Sequence, residues 1–342
     1  MIFASDNWAG ATPEVAAALA RANAGFAPAY GGDELTAAVR RRFNELFERE
    51  VEVFFTATGT ASNALSMAAV AKPGGLILCS NDAHLRLDEY GAAEFFSGGM
   101  KPVPVPSRHG KMAPADLAAT LARYPEGNRT GRPVVLSLTN ATEAGTVYTA
   151  AEIAALTKQV KRNGTKVHLD GARFANAVAA LGVSPAVLTW KAGIDLMSFG
   201  GTKNGCWAAE AIVVFEPGAF PDLNVLKSRA GHTLSKSRFE AAQLDAYLAD
   251  GNWLRTAGHA NAMAQRLAKG LISKAKLAWP AAANEVFPIL PKAAAARLRA
   301  AGAVFHPWTA DELAPGPDEE LCRLVTSWAT TEEEVDRFLA LL

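Results

Sequence analysis

Cysteine is scarce in this sequence of 342 residues, which contains only Cys79, Cys206 and Cys322. The three are odd in number and far apart, and no two of them form a CxxC motif. Disulfide frameworks and cysteine-based zinc sites need paired or closely spaced cysteines, so neither is predicted and no metal site is expected. A reducing compartment, the cytoplasm, fits this composition.

An excess of charge of either sign is also absent. Basic and acidic residues number 34 each, which argues against binding of nucleic acid or a membrane surface through bulk charge. Local basic pockets for phosphate stay possible. No apolar run is long enough to span a bilayer. The opening stretch MIFASDNWAG has no basic n-region and soon reaches Asp6, so it is not expected to be a signal peptide.

Hydrophobic residues make up half of the chain, which is enough for a substantial core. Up to about residue 215, short apolar runs alternate with helical patterns such as 151–162. The runs that resemble buried strands are GGLILCS (74–80), PVVLSLTN (133–140), TKVHLD (165–170), IDLMSFG (194–200) and EAIVVFE (210–216). Alternation of this kind predicts an α/β domain with a mostly parallel central sheet.

The C-terminal part shows a different pattern. Residues 239–276 have the periodicity of one long or broken helix, with Gly251 and Gly258 as the two positions where it can be interrupted. Short apolar segments and helical stretches then alternate to the end, which predicts a smaller α+β domain. We therefore expect a large domain over 1–250 and a small domain over 251–342.

Two reactive side chains follow neighbouring predicted strands. Asp170 ends the run KVHLD, and Lys203 comes just after the run DLMSFG, within the glycine-rich stretch SFGGTKNG. Ligands of open α/β sheets bind at the carboxyl ends of strands, so the two residues are expected to share one site. A salt bridge is one interpretation. The other is a pyridoxal phosphate site, in which the lysine binds the aldehyde carbon and the carboxylate keeps the ring nitrogen protonated.

A phosphate-binding turn fits the second interpretation. An extended segment at 53–57 is followed by Gly59 and Thr60, and a helix is predicted from about Ala61. Backbone N–H groups at a helix start attract phosphate, and the threonine adds a hydroxyl. The nucleotide-binding pattern GxxxxGK[ST] is absent. His84 is a further candidate, although a lone histidine is more often structural.

Seven motifs, taken together, resemble the threonine aldolases, which are pyridoxal-phosphate enzymes of the aspartate-aminotransferase fold. They occur in the family's order over about residues 5–240, and CRLVTSW extends the resemblance towards the C-terminus. The motifs are SDNWAGATPE, AYGGDELT, TATGTASN, DAHLRLDEYG, LTNATEAGTVY, HLDGARFANA and SFGGTKNG.

The resemblance implies roles around the cofactor. Lys203 would form the internal aldimine, and Asp170 would pair with the pyridinium nitrogen. Gly59 and Thr60 would bind the phosphate. His84 would stack on the ring and stand near the substrate hydroxyl.

It also implies roles around the substrate. Arg173 would reach the ring O3 or the substrate carboxylate, joined at the carboxylate by Ser5 and Arg323. Tyr30 and Arg229 would reach into the site of a neighbouring subunit, because such enzymes are dimers or tetramers with shared sites. A homo-oligomer, in the form of a homotetramer or a dimer, is therefore expected.

The general base is left open by one departure from the family pattern. Some members carry histidine shortly before the glycine that corresponds to Gly145, and Glu143 stands there in this chain. The base is therefore His84, Glu143 or an ordered water, with Asp88 and Glu89 available either to orient His84 or as surface acids.

The implied reaction is retro-aldol cleavage of L-threonine, L-allo-threonine and relatives such as phenylserine to glycine and an aldehyde. Another enzyme of the fold, such as a β-eliminating lyase, a serine hydroxymethyltransferase-like protein or an aminotransferase, remains an alternative. So does a non-catalytic homologue that binds the cofactor. The preference between threonine and allo-threonine is not predicted.

Overall fold

A seven-stranded sheet forms the centre of the protein, whose computed structural model describes residues 1–310 and 313–342. Its strands are β1 (Glu52–Thr56), β2 (Gly75–Ser80), β3 (Lys101–Val105), β4 (Arg132–Thr139), β5 (Lys166–Gly171), β6 (Leu196–Gly200) and β7 (Glu210–Val214). Their order in the sheet is β1-β7-β6-β5-β4-β2-β3. Strand β7 runs antiparallel to β1 and β6, and every other neighbouring pair is parallel. The five apolar runs noted in the sequence all correspond to strands of this sheet.

Helices cover the large sheet, which explains why its central strands are continuous apolar runs. Every residue of β2, β6 and β7 is buried, as a sheet covered on both faces requires. The longer helices of this part are Pro13–Ala22, Glu34–Leu46, Gly59–Val70, Pro114–Ala122, Ala150–Lys161, Phe174–Leu181, Leu223–Arg229 and Arg238–Leu248. The short ones are His84–Leu87, Ala92–Phe96 and Pro185–Leu188.

The predicted helix at 239–276 is two helices, Arg238–Leu248 and Asn252–Leu271. The chain turns between them because Asp250 and Gly251 both adopt positive φ, 51° and 71°. Gly251 is thus the interruption that the sequence offered. Gly258 lies inside the second helix, where Ala257 and Ala260 are buried on either side of it and keep that helix packed.

A small antiparallel sheet occupies the C-terminal part, in agreement with the predicted α+β pattern. Its strands are Lys276–Leu277, Glu285–Val286, Pro288–Pro291, His306–Pro307 and Glu319–Val325, accompanied by the helices Lys292–Ala300 and Glu332–Ala340. Phe3, from the N-terminal segment, belongs to the hydrophobic cluster of this part. The boundary at residue 250 stays a prediction. In the part of the chain that the structure describes, no helix has the length and apolarity needed to cross a membrane.

Candidate active site

One cleft of about 950 Å³ opens at the carboxyl ends of the parallel strands, between the large sheet and the C-terminal part. The predicted site residues that line it are Ser5, Gly59, Thr60, His84, Asp170, Arg173, Lys203 and Arg323. Tyr30 and Arg229 lie outside it and are exposed. Their assignment to a neighbouring subunit's site stays a prediction.

Lys203 lies in the turn Thr202–Asn204 and is the third residue after the end of β6. The glycines before it are required by close backbone contacts. A Cβ on Gly200 would approach the carbonyl oxygen of Ala172 to 2.5 Å, and one on Gly201 would approach that of Ala209 to 2.5 Å. The glycine-rich stretch therefore lets this turn pack tightly, and the lysine projects from it into the cleft.

Burial and the neighbouring guanidinium of Arg173 lower the pKa of Lys203, and the carboxylates of Asp6 and Asp170 oppose the shift. The side chain is half-buried. A larger fraction of neutral amine makes a lysine a better nucleophile towards an aldehyde carbon. The position therefore suits Schiff-base chemistry.

Asp170 is buried at the end of β5, in register with Ser198 of β6. Its carboxylate accepts hydrogen bonds from Nδ2 of Asn63 at 2.8 Å and from the backbone N–H of Ala172 at 3.0 Å. These donors fix the orientation of the carboxylate towards the cleft. Adjacent parallel strands thus bring Asp170 and Lys203 to one site, as expected from their positions in the sequence.

His84 begins the short helix His84–Leu87, and its ring is tied to a buried acid. Nδ1 lies 2.8 Å from Oε1 of Glu89. This hydrogen bond raises the pKa of His84, against the opposing effect of burial. Of the two acids beside His84 in the sequence, Glu89 orients the ring, whereas Asp88 is exposed.

Glu143 also lies in the cleft, but it contacts the backbone of His84 and not the ring. Its Oε1 accepts from the His84 backbone N–H at 2.9 Å and from the Thr139 hydroxyl at 3.0 Å. Burial and the charge of Asp170 raise the pKa of Glu143 to about 7. The residue at the family's histidine position therefore helps to hold the segment that carries His84.

Arg173 is engaged by two carboxylates that the sequence motifs did not lead us to expect. Nε and Nη2 bind the two oxygens of Asp6 at 2.7 and 3.0 Å, and Nη2 lies 3.6 Å from Oε1 of Glu285. Asn284 donates to Asp6 at 3.1 Å. Nε and Nη2 of the guanidinium are therefore already paired with Asp6, a partner that the sequence-based assignment did not include. Its reach to the ring O3 or the substrate carboxylate stays a prediction.

Arg323 lies on the small-sheet strand Glu319–Val325, with its guanidinium 4.9 Å from the centre of the Trp308 ring. Its Nε is buried and has no hydrogen-bond partner among residues 1–310 and 313–342. Ser5 lies in the N-terminal segment. Its hydroxyl accepts a hydrogen bond from the Asn7 backbone N–H at 3.1 Å and so caps the turn Asp6–Trp8. Arg323 therefore has a guanidinium N–H left to offer, and the Ser5 hydroxyl, which only accepts in this turn, also has its hydrogen left to donate.

The predicted phosphate-binding turn lies at the start of the helix Gly59–Val70. Thr58 caps it by accepting from the Ala61 backbone N–H at 3.2 Å. Gly59 and Thr60 present the first turn of this helix to the cleft. Unpaired N–H groups and the positive end of the helix dipole favour an anion there.

Sequence reasoning missed three residues that contact predicted site residues: Asp6, Asn63 and Glu285. The first two stand inside the motifs SDNWAGATPE and TATGTASN, so their position beside predicted residues was a usable signal. Glu285 is the first residue of the apolar segment EVFPILP, and a single acid at that position is typical of the exposed end of a strand. Its full burial could not be read from that pattern.

Comparison with known proteins identifies the family. Residues 3–289 match the family model for beta-eliminating lyases. A low specificity L-threonine aldolase of Pseudomonas aeruginosa is 42% identical over 335 residues, which cover 97% of this chain and 94% of the relative.

Solved structures agree. A threonine aldolase of Leishmania major is 28% identical and superposes with a TM-score of 0.92, covering 99% of this chain and 98% of that one. A serine palmitoyltransferase variant of S. paucimobilis, with a bound PLP–myriocin aldimine, shares the fold at 15% identity, with a TM-score of 0.67 over 100% of this chain and 86% of that one. These matches confirm the expected fold and the resemblance drawn from the motifs. The chain belongs to the beta-eliminating lyase family and, within it, to the threonine aldolases.

Proposed function

We propose that the cleft cleaves L-threonine, L-allo-threonine and related β-hydroxy-α-amino acids such as phenylserine to glycine and an aldehyde, with pyridoxal phosphate as cofactor. The observation that carries the proposal is the convergence of Lys203, Asp170 and His84 on one cleft. The high identity to a low specificity L-threonine aldolase supports the reaction.

The donor set fits the cofactor. Lys203 offers an amine of lowered pKa for the aldehyde carbon, and Asp170 offers an oriented carboxylate for the ring nitrogen. The helix start at Gly59 and Thr60 offers N–H groups and a hydroxyl for the phosphate. When bound, pyridoxal phosphate accepts the electron pair released at the substrate Cα.

Arg323 binds the substrate carboxylate in this proposal, with Ser5 and the cleft-facing part of Arg173 beside it. A guanidinium on an aromatic face and without a hydrogen-bond partner among the described residues suits a planar anion. Fixing the carboxylate at this wall sets the orientation of the Cα–Cβ bond in the cleft.

His84 is the general base that the geometry favours. Glu89 holds Nδ1, so Nε2 is the ring atom left to take the β-hydroxyl proton when the imidazole is neutral. As that proton leaves, the oxygen lone pair forms the aldehyde C=O and the Cα–Cβ bond breaks. Protonation of Cα then yields glycine. Glu143 contributes by holding the backbone of His84.

Two exposed aromatic side chains support a homo-oligomer as part of the proposal. Tyr30 is 69% exposed and Phe26 is fully exposed, so this face is suited to a second copy of the chain. A homo-oligomer, dimer or tetramer, would place Tyr30 and Arg229 at a neighbouring site. Sedimentation of the purified protein measures its oligomeric state.

A cytoplasmic location of the protein is also part of the proposal.

The proposal is tested by product analysis with a lysine variant. Threonine and phenylserine are expected to yield glycine and the matching aldehyde. Lys203→Ala removes the amine that holds the cofactor, so we expect loss of the visible absorbance of bound cofactor and a fall in glycine formation of at least about 1000-fold. Lys269→Ala, at an exposed lysine of the helix Asn252–Leu271, is the matched control and should change neither.

Formation of pyruvate and ammonia, or amino transfer to a keto acid, would show instead that the cleft carries another activity of the fold. A panel of the four threonine stereoisomers then defines the stereochemical preference.

A further inference from the structure

A chain of buried polar side chains runs beneath the cleft from β4 to the helix Gly59–Val70. The Ser137 hydroxyl lies 2.9 Å from Nδ1 of His168, and Nε2 of His168 lies 3.0 Å from the Ser198 hydroxyl. Ser198 lies 2.7 Å from Oδ1 of Asn63. All four residues are buried, and His168 is fully so. The chain crosses three neighbouring strands before it reaches the helix.

Asn63 joins this chain to two carboxylates of the site. Its Nδ2 donates to Oδ2 of Asp170 at 2.8 Å and to Oε1 of Glu89 at 2.8 Å. The same Glu89 oxygen accepts from Nδ1 of His84. One amide therefore contacts both the proposed partner of the ring nitrogen and the acid that orients the proposed base.

The direction of every hydrogen bond in the chain follows from its carboxylate end. Carboxylates only accept, so the Asn63 NH₂ faces them and Oδ1 must accept from Ser198. The Ser198 oxygen then accepts from Nε2–H of His168, whose Nδ1 accepts from Ser137. Such a histidine carries one proton and is neutral. Burial lowers the pKa of His168 to about 4, which agrees with this arrangement.

We propose that Asn63, locked in orientation by Ser198 and His168, is a positioning residue that fixes Asp170 and Glu89 relative to each other. The catalytic part of this inference rests on the proposed function, because Asn63 aligns Asp170, the partner of the cofactor ring nitrogen, and Glu89, which orients the proposed base. Without the chain, the amide could rotate and turn its oxygen towards two anions.

The proposal makes a directional prediction for His84. The charged groups that act on His84 are Glu89 and Asp170, which favour its cation, and Lys203, which disfavours it. Glu143 accepts from its backbone N–H. Removing the Asn63 donor leaves both carboxylates less stabilised, so they attract the His84 proton more strongly and the His84 pKa rises.

The test uses Asn63→Ala in the full-length protein, with the His84 imidazole titrated by NMR before cofactor is added. We expect the His84 pKa to rise by about one unit. In the loaded enzyme we expect an altered visible absorbance and a kcat that is lower by about 10- to 100-fold, with KM within about twofold of the parent. Ser198→Ala should move each quantity in the same direction by less, and Ser198→Thr, which keeps the hydroxyl, should restore them.

The matched control is Ser66→Ala. Ser66 lies on the same helix and is fully buried, and its hydroxyl has no hydrogen-bond partner in the described parts of the chain. This variant should leave the His84 titration and the absorbance unchanged. Asn63→Leu, which keeps the approximate size of the side chain but has no donor, serves if the alanine variant does not fold, and it should raise the His84 pKa in the same direction.

A folded Asn63 variant with an unaltered His84 titration and unaltered cofactor absorbance would overturn the proposal. Failure of the parent protein to cleave threonine would overturn the proposed function instead. The NMR titration does not depend on turnover, so the two failures are distinguishable.

Discussion

The two walls of the cleft differ in how their polar side chains are connected. On the sheet wall, Asn63, His84, Glu89 and Asp170 are joined by hydrogen bonds, although Oε2 of Glu89 has no partner among the described residues. Trp308 and Arg323 line the cleft from the C-terminal part, as its C-terminal wall, and the buried Glu285 lies 3.6 Å from the cleft-lining Arg173. There, both carboxylate oxygens of Glu285 and Nε of Arg323 are buried without a hydrogen bond from any residue that the structure describes.

This difference assigns the sheet wall to the positioning of catalytic atoms and the C-terminal wall to the binding of the ligand. A buried polar group without a partner costs about 1–3 kcal/mol, so a wall that keeps such groups gains most when a ligand supplies the partner. A wall whose side chains are joined by hydrogen bonds holds catalytic atoms in place and gains less from a ligand. The contrast predicts that changes at the C-terminal wall alter KM, whereas changes at the sheet wall alter kcat.

The largest effect on substrate binding is expected from Arg323→Ala. Loss of the guanidinium removes the free donors of the C-terminal wall, so KM for threonine should rise about 100-fold, equivalent to about 2.7 kcal/mol, with a smaller change in kcat. Steady-state kinetics of glycine formation measure both. Arg299→Ala is the matched control, because Arg299 also lies on an aromatic ring, that of Phe305, but is paired with Glu320 at 2.7 Å. An unchanged KM in Arg323→Ala would remove this residue from the carboxylate site.

A smaller effect in the opposite direction is expected from Glu285→Gln. Burial raises the pKa of Glu285, and its carboxylate faces Arg173, so when ionised it competes with the substrate carboxylate for positive charge. The neutral variant should lower KM by about threefold to tenfold at high pH. The two proteins should converge as the pH falls and Glu285 of the parent takes up a proton. A KM that rises in the variant at every pH would show that Glu285 assists binding.

The smallest effect, confined to stability, is expected from Glu240→Gln. Glu240 is buried on the helix Arg238–Leu248, and neither of its carboxylate oxygens has a partner among the described residues, but it does not line the cleft. Burial raises its pKa from 4.5 to about 7, against the weaker effect of Lys227. The folded state therefore favours the protonated acid.

The stability that this acid contributes is present below its ordinary pKa and is lost as the pH rises through 7. Glutamine cannot ionise, so the variant should match the parent near pH 5 and exceed it by about 2 kcal/mol near pH 8 in urea unfolding. KM and kcat should stay unchanged. A change in either would mean that an unpaired acid outside the cleft is not an adequate control for Glu285.

Local patterns were sufficient for much of the fold. The apolar runs correspond to strands of the large sheet because buried parallel strands are continuous in hydrophobicity. Asp170 and Lys203 were located because both follow such runs, and the carboxyl ends of neighbouring parallel strands meet. The sequence did not distinguish Gly251 from Gly258 as the position of the helix break, because packing around the helix decides between them.

The sequence by itself determined the family, the large sheet and the reactive residues at its strand ends, because each depends on a motif or on short-range periodicity. Only the tertiary structure decided what those residues contact. Arg173 is bound by Asp6 and faces Glu285, residues more than 100 positions away in either direction, and Asn63 meets two carboxylates from separate segments. Such partners are chosen by how strands and helices pack in space, and no local pattern records which distant side chain ends beside a buried charge.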